Sequence, residues 1–590
     1  MSDQFTQAML KARHSTLLLM ALAFGACSEA SPSVSAEPGR VEFSTSTLNL
    51  GGERTTGITV RNTGGMAVGP VVLSVAPISG PGGVSLPGAA LLVFPPEIPT
   101  LNPGEERSLN ALIDLGGTVN PGTYGTSIAA RVADVGDGTG PAESRITISF
   151  DVADFESVSG VTSVQIVPPA TPVRRGDAAQ ISVQVTGESG VMEGVPIGWS
   201  VTPDDGAFIG ENGQLVPYGT GPIEVIARVG TLADTVSLTA TERDWSGTIV
   251  QVGEGAQVNR ATSDLWLHGD YAYLGTHVGG AGGNAMFAWD ISDPMSPLMT
   301  DSVIVDARVV NDVKVRADGR LAVITHEGSN DGLNGITLLD LDDPAHPTAV
   351  GRYTTGLETG VHNAWIDGNY VYLVADGSGV GLRILDISAP ANPVPVASFV
   401  GSNTTFLHDV YVRDGLAFLS NWNEGLIVLD VGNGMAGGTP TNPIEVSRLQ
   451  VRGGQTHNAW YWPEAGYVFV GEEDFSSPGV MHVVDFRDPA NPAEVATFAL
   501  PGDTPHNFWL DESQGVLYMA WYGQGLRALD VNGELLGDLD RQGREVAQIQ
   551  HLGQGGCDLG ETCTWAPQLH RGLIFLTDIP NGLTVLDPVF

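Results

Sequence analysis

Leu426-Ile427-Val428-Leu429-Asp430 is a short apolar run closed by a carboxylate, and its pattern recurs. Met286-Phe287-Ala288-Trp289-Asp290, Ile336-Thr337-Leu338-Leu339-Asp340 and Leu382-Arg383-Ile384-Leu385-Asp386 precede it. Met481-His482-Val483-Val484-Asp485, Leu526-Arg527-Ala528-Leu529-Asp530 and Leu583-Thr584-Val585-Leu586-Asp587 follow it. The aspartates lie 44 to 57 residues apart, and Pro-x-x-Pro turns follow several of them, as at Pro294/Pro297 and Pro390/Pro393. Upstream of each run are two more strand-like segments, such as His362-Asn363-Ala364-Trp365-Ile366-Asp367 and Tyr370-Val371-Tyr372-Leu373. Four short strands at this period make one propeller blade, so seven copies predict a seven-bladed β-propeller over residues 245–590.

The seventh copy reaches Phe590 with its third strand. Trp245-Ser246-Gly247-Thr248-Ile249-Val250-Gln251-Val252 is similar to the outer strands of other copies, such as Val394-Pro395-Val396-Ala397-Ser398-Phe399. Residues 246–252 are therefore expected to complete blade seven and remove a raw sheet edge. That would set the preceding modules beside the seam between blades seven and one.

The repeats resemble the LVIVD family of bacterial and archaeal cell-surface propellers, a resemblance that implies fold and location but no chemistry. Ahead of them, residues 41–155 alternate apolar and polar residues between turns such as Asn120-Pro121-Gly122-Thr123-Tyr124, predicting an antiparallel sandwich. Its turns resemble those of bacterial immunoglobulin-like surface modules. Residues 160–242 carry Ile197-Gly198-Trp199-Ser200-Val201-Thr202-Pro203 and Asn212-Gly213-Gln214-Leu215. These resemble the bacterial group 2 Ig-like domain, with Trp199 expected to fill the core and Gly213 to permit a hairpin turn. The fold class expected is all-β: two Ig-like β-sandwiches followed by a seven-bladed β-propeller.

Composition limits the partners. The 590 residues suit several domains, and 42% hydrophobic residues suffice for packed cores. The chain has 27 Lys+Arg against 67 Asp+Glu, a net charge of −40. That charge opposes nucleic acid and anionic lipid. Lys11 and Arg13 precede the apolar run Leu17–Phe24, which ends in Gly25-Ala26-Cys27. This run is too short to span a bilayer comfortably. Small residues before a cysteine resemble the lipobox of bacterial lipoproteins, although Phe24 stands where that box usually has Leu. Residues 1–27 are expected to be a lipoprotein signal peptide with Cys27 lipidated, and residues 28–40 a tether. The membrane would be met only through the lipid, in a bacterial cell envelope. Cys557 and Cys563 are then the remaining cysteines, and in an oxidising compartment they read as a disulfide.

Several positions carry candidate chemistry. The repeat aspartate is expected to cap a turn. Trp266, Trp365, Tyr411, Trp460 and Trp509 recur at one position and are expected to pack between blades. His362, His408, His457 and His506 begin the inner strand of four consecutive blades, each followed by Asn or Asp, with Ser263, Asn311 and Cys563 as counterparts elsewhere. They face the channel's top end and form a candidate divalent-metal site. Loops between second and third strands add His277, His326, Asp376, Glu472, Trp521 and Asp578 as candidate ligand-binding residues, with Glu473 beside them. The competing reading bonds each His–Asn/Asp pair to a neighbouring blade's loop. No G-x-S-x-G, H-E-x-x-H or P-loop motif is present. The expected function is that of an anchored surface protein binding a glycan, a peptide or another envelope protein. The alternatives are a metal-dependent enzyme of lyase or oxidase type and a purely structural envelope protein.

Overall fold

The computed structural model describes residues 37–50, 55–94, 97–98, 100–113, 121–132, 142–152, 155–256, 258–401, 406–451, 455–474, 479–552 and 555–590. The expected signal peptide, with Cys27, and the tether as far as residue 36 lie outside the described residues. The described chain is all-β, and none of its helices is long and apolar enough to cross a membrane.

Residues 41–152 form two sheets around one core. Gly122–Val132 pairs antiparallel with Ala142–Val152 along its whole length. Its alternation sends Tyr124, Ile128 and Ala130 inward, to meet Ile58, Val60 and Leu109 of the other sheet. Residues 161–240 form three three-stranded sheets around Ile166, Ile181, Leu215 and Val225. Trp199 lies only partly buried at the margin of this core instead of filling it. Gly213 turns with φ +79°, and a Cβ there would meet the Ile181 carbonyl oxygen at 2.5 Å, so the turn needs glycine.

From residue 248 onward come seven antiparallel units: five run as four strands in chain order from the channel outward, the sixth takes its outer strand after a short segment, Gly537–Asp538, that pairs onto the fifth, and the seventh is completed by Thr248–Glu254. Their inner strands are Ala261–His268, Val313–Val315, Val361–Asp367, Leu407–Arg413, Thr456–Trp462, Phe508–Asp511 and Thr564–His570. Each inner strand touches the next, and the last touches the first, which closes a ring built as propeller blades are. Closure at the outer edge comes from Thr248–Glu254, paired antiparallel with Gly582–Val589. Apolar residues of adjacent units interleave: Tyr372 and Ile384 of the third meet Val410 and Leu419 of the fourth. The repeat aspartate caps its turn by accepting the N–H two residues on, as Asp386 does from Ser388 at 2.8 Å and Asp430 from Gly432 at 3.0 Å.

The first two modules do not sit at the seam between blades seven and one. Arg107 of the first is buried against blade four: it donates to the Gly401 carbonyl at 2.9 Å and lies 3.4 Å from Glu424. Both partners lie on the top face, where inner strands begin. The second module meets the opposite face of blade six. There Arg243 joins Asp530 to Asp177, and Arg544 donates to the Gly176 carbonyl at 2.6 Å. Strand closure alone does not set the docking position; the buried arginine pairs do.

Candidate functional site

Five of the seven inner strands share one irregularity. In blade three the pairing runs Val361↔Ala375 and then Asn363↔Val374, so His362 is left as a bulge. His408, His457 and Trp565 are skipped in the same way, and blade one has its bulge between Thr262 and Leu265. A bulge aims the extra side chain, here into the channel. The blade-seven counterpart of the histidines is thus Trp565, not Cys563. Cys563 lies two residues earlier, joined to Cys557 by a disulfide. The signal for this is spacing: Trp565 precedes the second strand's Leu573 by the same interval that separates His362 from Tyr370 and His408 from Leu416.

The five rings lie side by side. Ring centroids are 4.4 Å apart for His362–His408, 4.5 Å for His408–His457, 4.2 Å for His457–His506 and 4.0 Å for His506–Trp565. Part of this tier forms a hydrogen-bonded belt between blades. Asn311 donates to the His362 carbonyl at 3.0 Å, Asn458 to the His506 carbonyl at 3.0 Å, and His506 Nδ1 lies 2.8 Å from the Trp565 carbonyl. His506 thereby takes the role that the backbone-bonding reading assigns.

The next position outward, at or just past the end of the second strand, supplies the partners. His277 lies 5.5 Å from Trp565, Trp422 lies 4.8 Å from His408, and Tyr522 lies 5.1 Å from His506, ring to ring. Glu327 holds His362 Nδ1 at 2.8 Å, and Glu473 is 3.7 Å from His457 Nε2. Ligating atoms come within 4.8 Å of one another in two sets, His408–His457–Glu473 and Glu327–His362–Asp376. The four histidines therefore divide between surroundings and do not converge as a single set.

Charge divides along the same line. Burial disfavours a proton on His362, but the Glu327 carboxylate bonded to Nδ1 outweighs it and lifts the imidazole to about 9. Burial and the neighbouring imidazoles hold His408 and His457 well below the usual histidine range, and burial holds His506 down at about 3. Burial lifts Glu473 to about 7, and burial with the nearby Glu327 lifts Asp376 to about 7.

Of the six residues expected from the loops, His277 and Asp376 stand at this position. His326, Glu472, Trp521 and Asp578 stand one residue short of it, and strand alternation turns them away from the channel. His326 meets Thr337 at 3.1 Å, and Glu472 lies 3.4 Å from His482 inside blade five. Trp521 is wholly buried against Phe498, and Asp578 accepts the Cys563 N–H at 2.6 Å. The residue after each of the first three, Glu327, Glu473 or Tyr522, is the one that reaches the histidines.

Below the histidines lies an aromatic tier. Trp266, Trp365, Tyr411, Trp460 and Trp509 close a circle, with neighbouring ring centroids 4.7 to 6.1 Å apart. Several also abut the cores between blades, so packing is their role. Lys314 lies 5.2 Å from the Trp266 ring centroid and ion-pairs with Asp264 at 2.7 Å and with Asp312. The cavity beside this circle is about 50 Å³, room for a few waters and not for an organic substrate.

The LVIVD repeat family matches residues 259–305, 330–355, 360–400 and 407–451, so residues 259–451 form an LVIVD repeat region. No curated protein matches the chain.

Proposed function

We propose that this chain is an exported, lipid-anchored binding protein of a bacterial cell envelope, in which a seven-bladed propeller is the recognising head and two immunoglobulin-like sandwiches brace it. The observation that carries the reading is the outer edge of blade one. Leu298–Ile304 is a terminal strand that, among the described residues, pairs only with Ala285–Asp290, and it exposes Leu298 by 66%, Ile304 by 56% and, just before it, Met295 by 65%. Folded chains seldom leave an apolar edge strand open, because it pairs readily with another chain. The filled channel fits recognition at the outer surface better than chemistry on a small molecule. Anchoring through Cys27 would also suit the acidic surface, which is repelled by anionic headgroups.

The test uses the full chain, immobilised and offered purified envelope polysaccharide, envelope protein and peptides in turn. Retention of one class by the wild type, lost in Leu298→Lys/Ile304→Glu, supports the reading. No retention of any class, or equal retention by the variant, overturns it. Fatty-acid labelling that is equal in the wild type and in Cys27→Ser would remove the anchor.

A further inference from the structure

We infer that His408, His457 and Glu473 bind one divalent first-row metal ion, which ties blade four to blade five. The three residues come from separate strands and loops, yet one ligating atom of each lies within 4.8 Å of the other two. His457 Nε2 and Glu473 Oε2 are 3.7 Å apart, too far for a hydrogen bond. Two ligands each about 2.1 Å from an ion at a tetrahedral angle stand about 3.4 Å apart, close to what is observed. His457 therefore offers Nε2 to the ion, and its buried Nδ1 is left to carry the ring's proton.

Glu473 is buried, and among the described residues no lysine or arginine is paired with it. Its other oxygen accepts the Tyr522 hydroxyl, which fixes the carboxylate as an outer-shell partner fixes a ligand. The neighbouring set is different. There the Glu327 carboxylate is already bonded to His362 and lies 3.3 Å from Arg308, so its charge is answered by the chain itself. Two imidazoles and one carboxylate, with a fourth position left for water, suit zinc best among common ions. The inference does not depend on recognition at blade one.

The full chain, stripped with chelator and dialysed, would be titrated with zinc chloride by calorimetry and melted with and without zinc. One equivalent should bind and raise the melting temperature. Glu473→Gln, which removes a buried charge and should fold, is expected to weaken binding at least 100-fold, and Tyr522→Phe about 10-fold. His506→Asn should bind as the wild type does, because its Nδ1 is committed to the Trp565 carbonyl. No zinc uptake by folded wild type, or wild-type affinity in Glu473→Gln, overturns the site. An equal loss in His506→Asn overturns this ligand set in favour of one shared by all four histidines.

Discussion

The channel has two unlike halves at one repeat position. Blades three to six place His362, His408, His457 and His506 there, whereas blades seven, one and two place Trp565, Ser263 and Asn311. The second half holds a cation of its own: Lys314, buried between Asp264 and Asp312. Those carboxylates raise the Lys314 pKa against the burial that would lower it, so the amine stays charged. Among the described residues the histidine half has one part-buried positive group, His362 on Glu327, and leaves Glu473 facing neutral rings. The same bulge thus serves two solutions to one problem: a carboxylate in a dry channel must meet a positive charge or give up its own.

The largest effect should come from removing the built-in cation. Lys314→Met strands Asp264 and Asp312 and is expected to cost about 3–5 kcal/mol in denaturant unfolding. Combining it with Asp264→Asn should return part of that loss. Wild-type stability in the single variant would erase the difference between the halves.

Acid should act on the histidine half. His408, His457 and His506 are held neutral in the fold but protonate when unfolded near the ordinary pKa of about 6.5. At these three positions the unfolded state then binds more protons, so their contribution is complete above about pH 6.5 and falls as pH drops below it. Each such histidine contributes about 1.4 kcal/mol per pH unit. For His506 the loss continues down to its folded value of about 3. Glu473 and Asp376, lifted to about 7, bind protons in the fold before the unfolded chain does and oppose this slope between pH 7 and 5. The slope is therefore read as the change in denaturant midpoint of the wild type minus that of His506→Asn, and an equal change in both would mean that the His506 ring carries a proton in the fold.

The smallest effect is expected from His506→Asn, about 1 kcal/mol or less. An asparagine amide can donate to the next blade's carbonyl, as Asn311 already does to His362. A loss several times larger would show that His506 does more than complete the belt.

Much of this was legible before any coordinates. The repeated Asp at the end of each third strand marks seven blades because strand, turn and strand are local. The β-rich run from Thr248 to Val252 has nowhere to pair but the edge left at Gly582–Val589. The channel-mouth residues were less legible, since alternation has a period of two and the end of a second strand is not marked in the sequence. Choosing His326 over Glu327, or Trp521 over Tyr522, is a slip of one residue, and one residue reverses the face. Cys563 stood in for Trp565 because the disulfide loop hides where the last inner strand begins.

The sequence by itself determined the blade count, the closing strand and the placing of four histidines at one repeat position, because all three follow from periodicity and backbone pairing. Only the tertiary structure decided which carboxylate each histidine meets, that the four divide into a protonated one and three neutral ones, and that the first two modules dock on opposite faces of the ring. Those outcomes depend on the phase of a bulge and on side chains brought together from distant blades. Burial then sets which charges survive, and no stretch of sequence records that burial in advance.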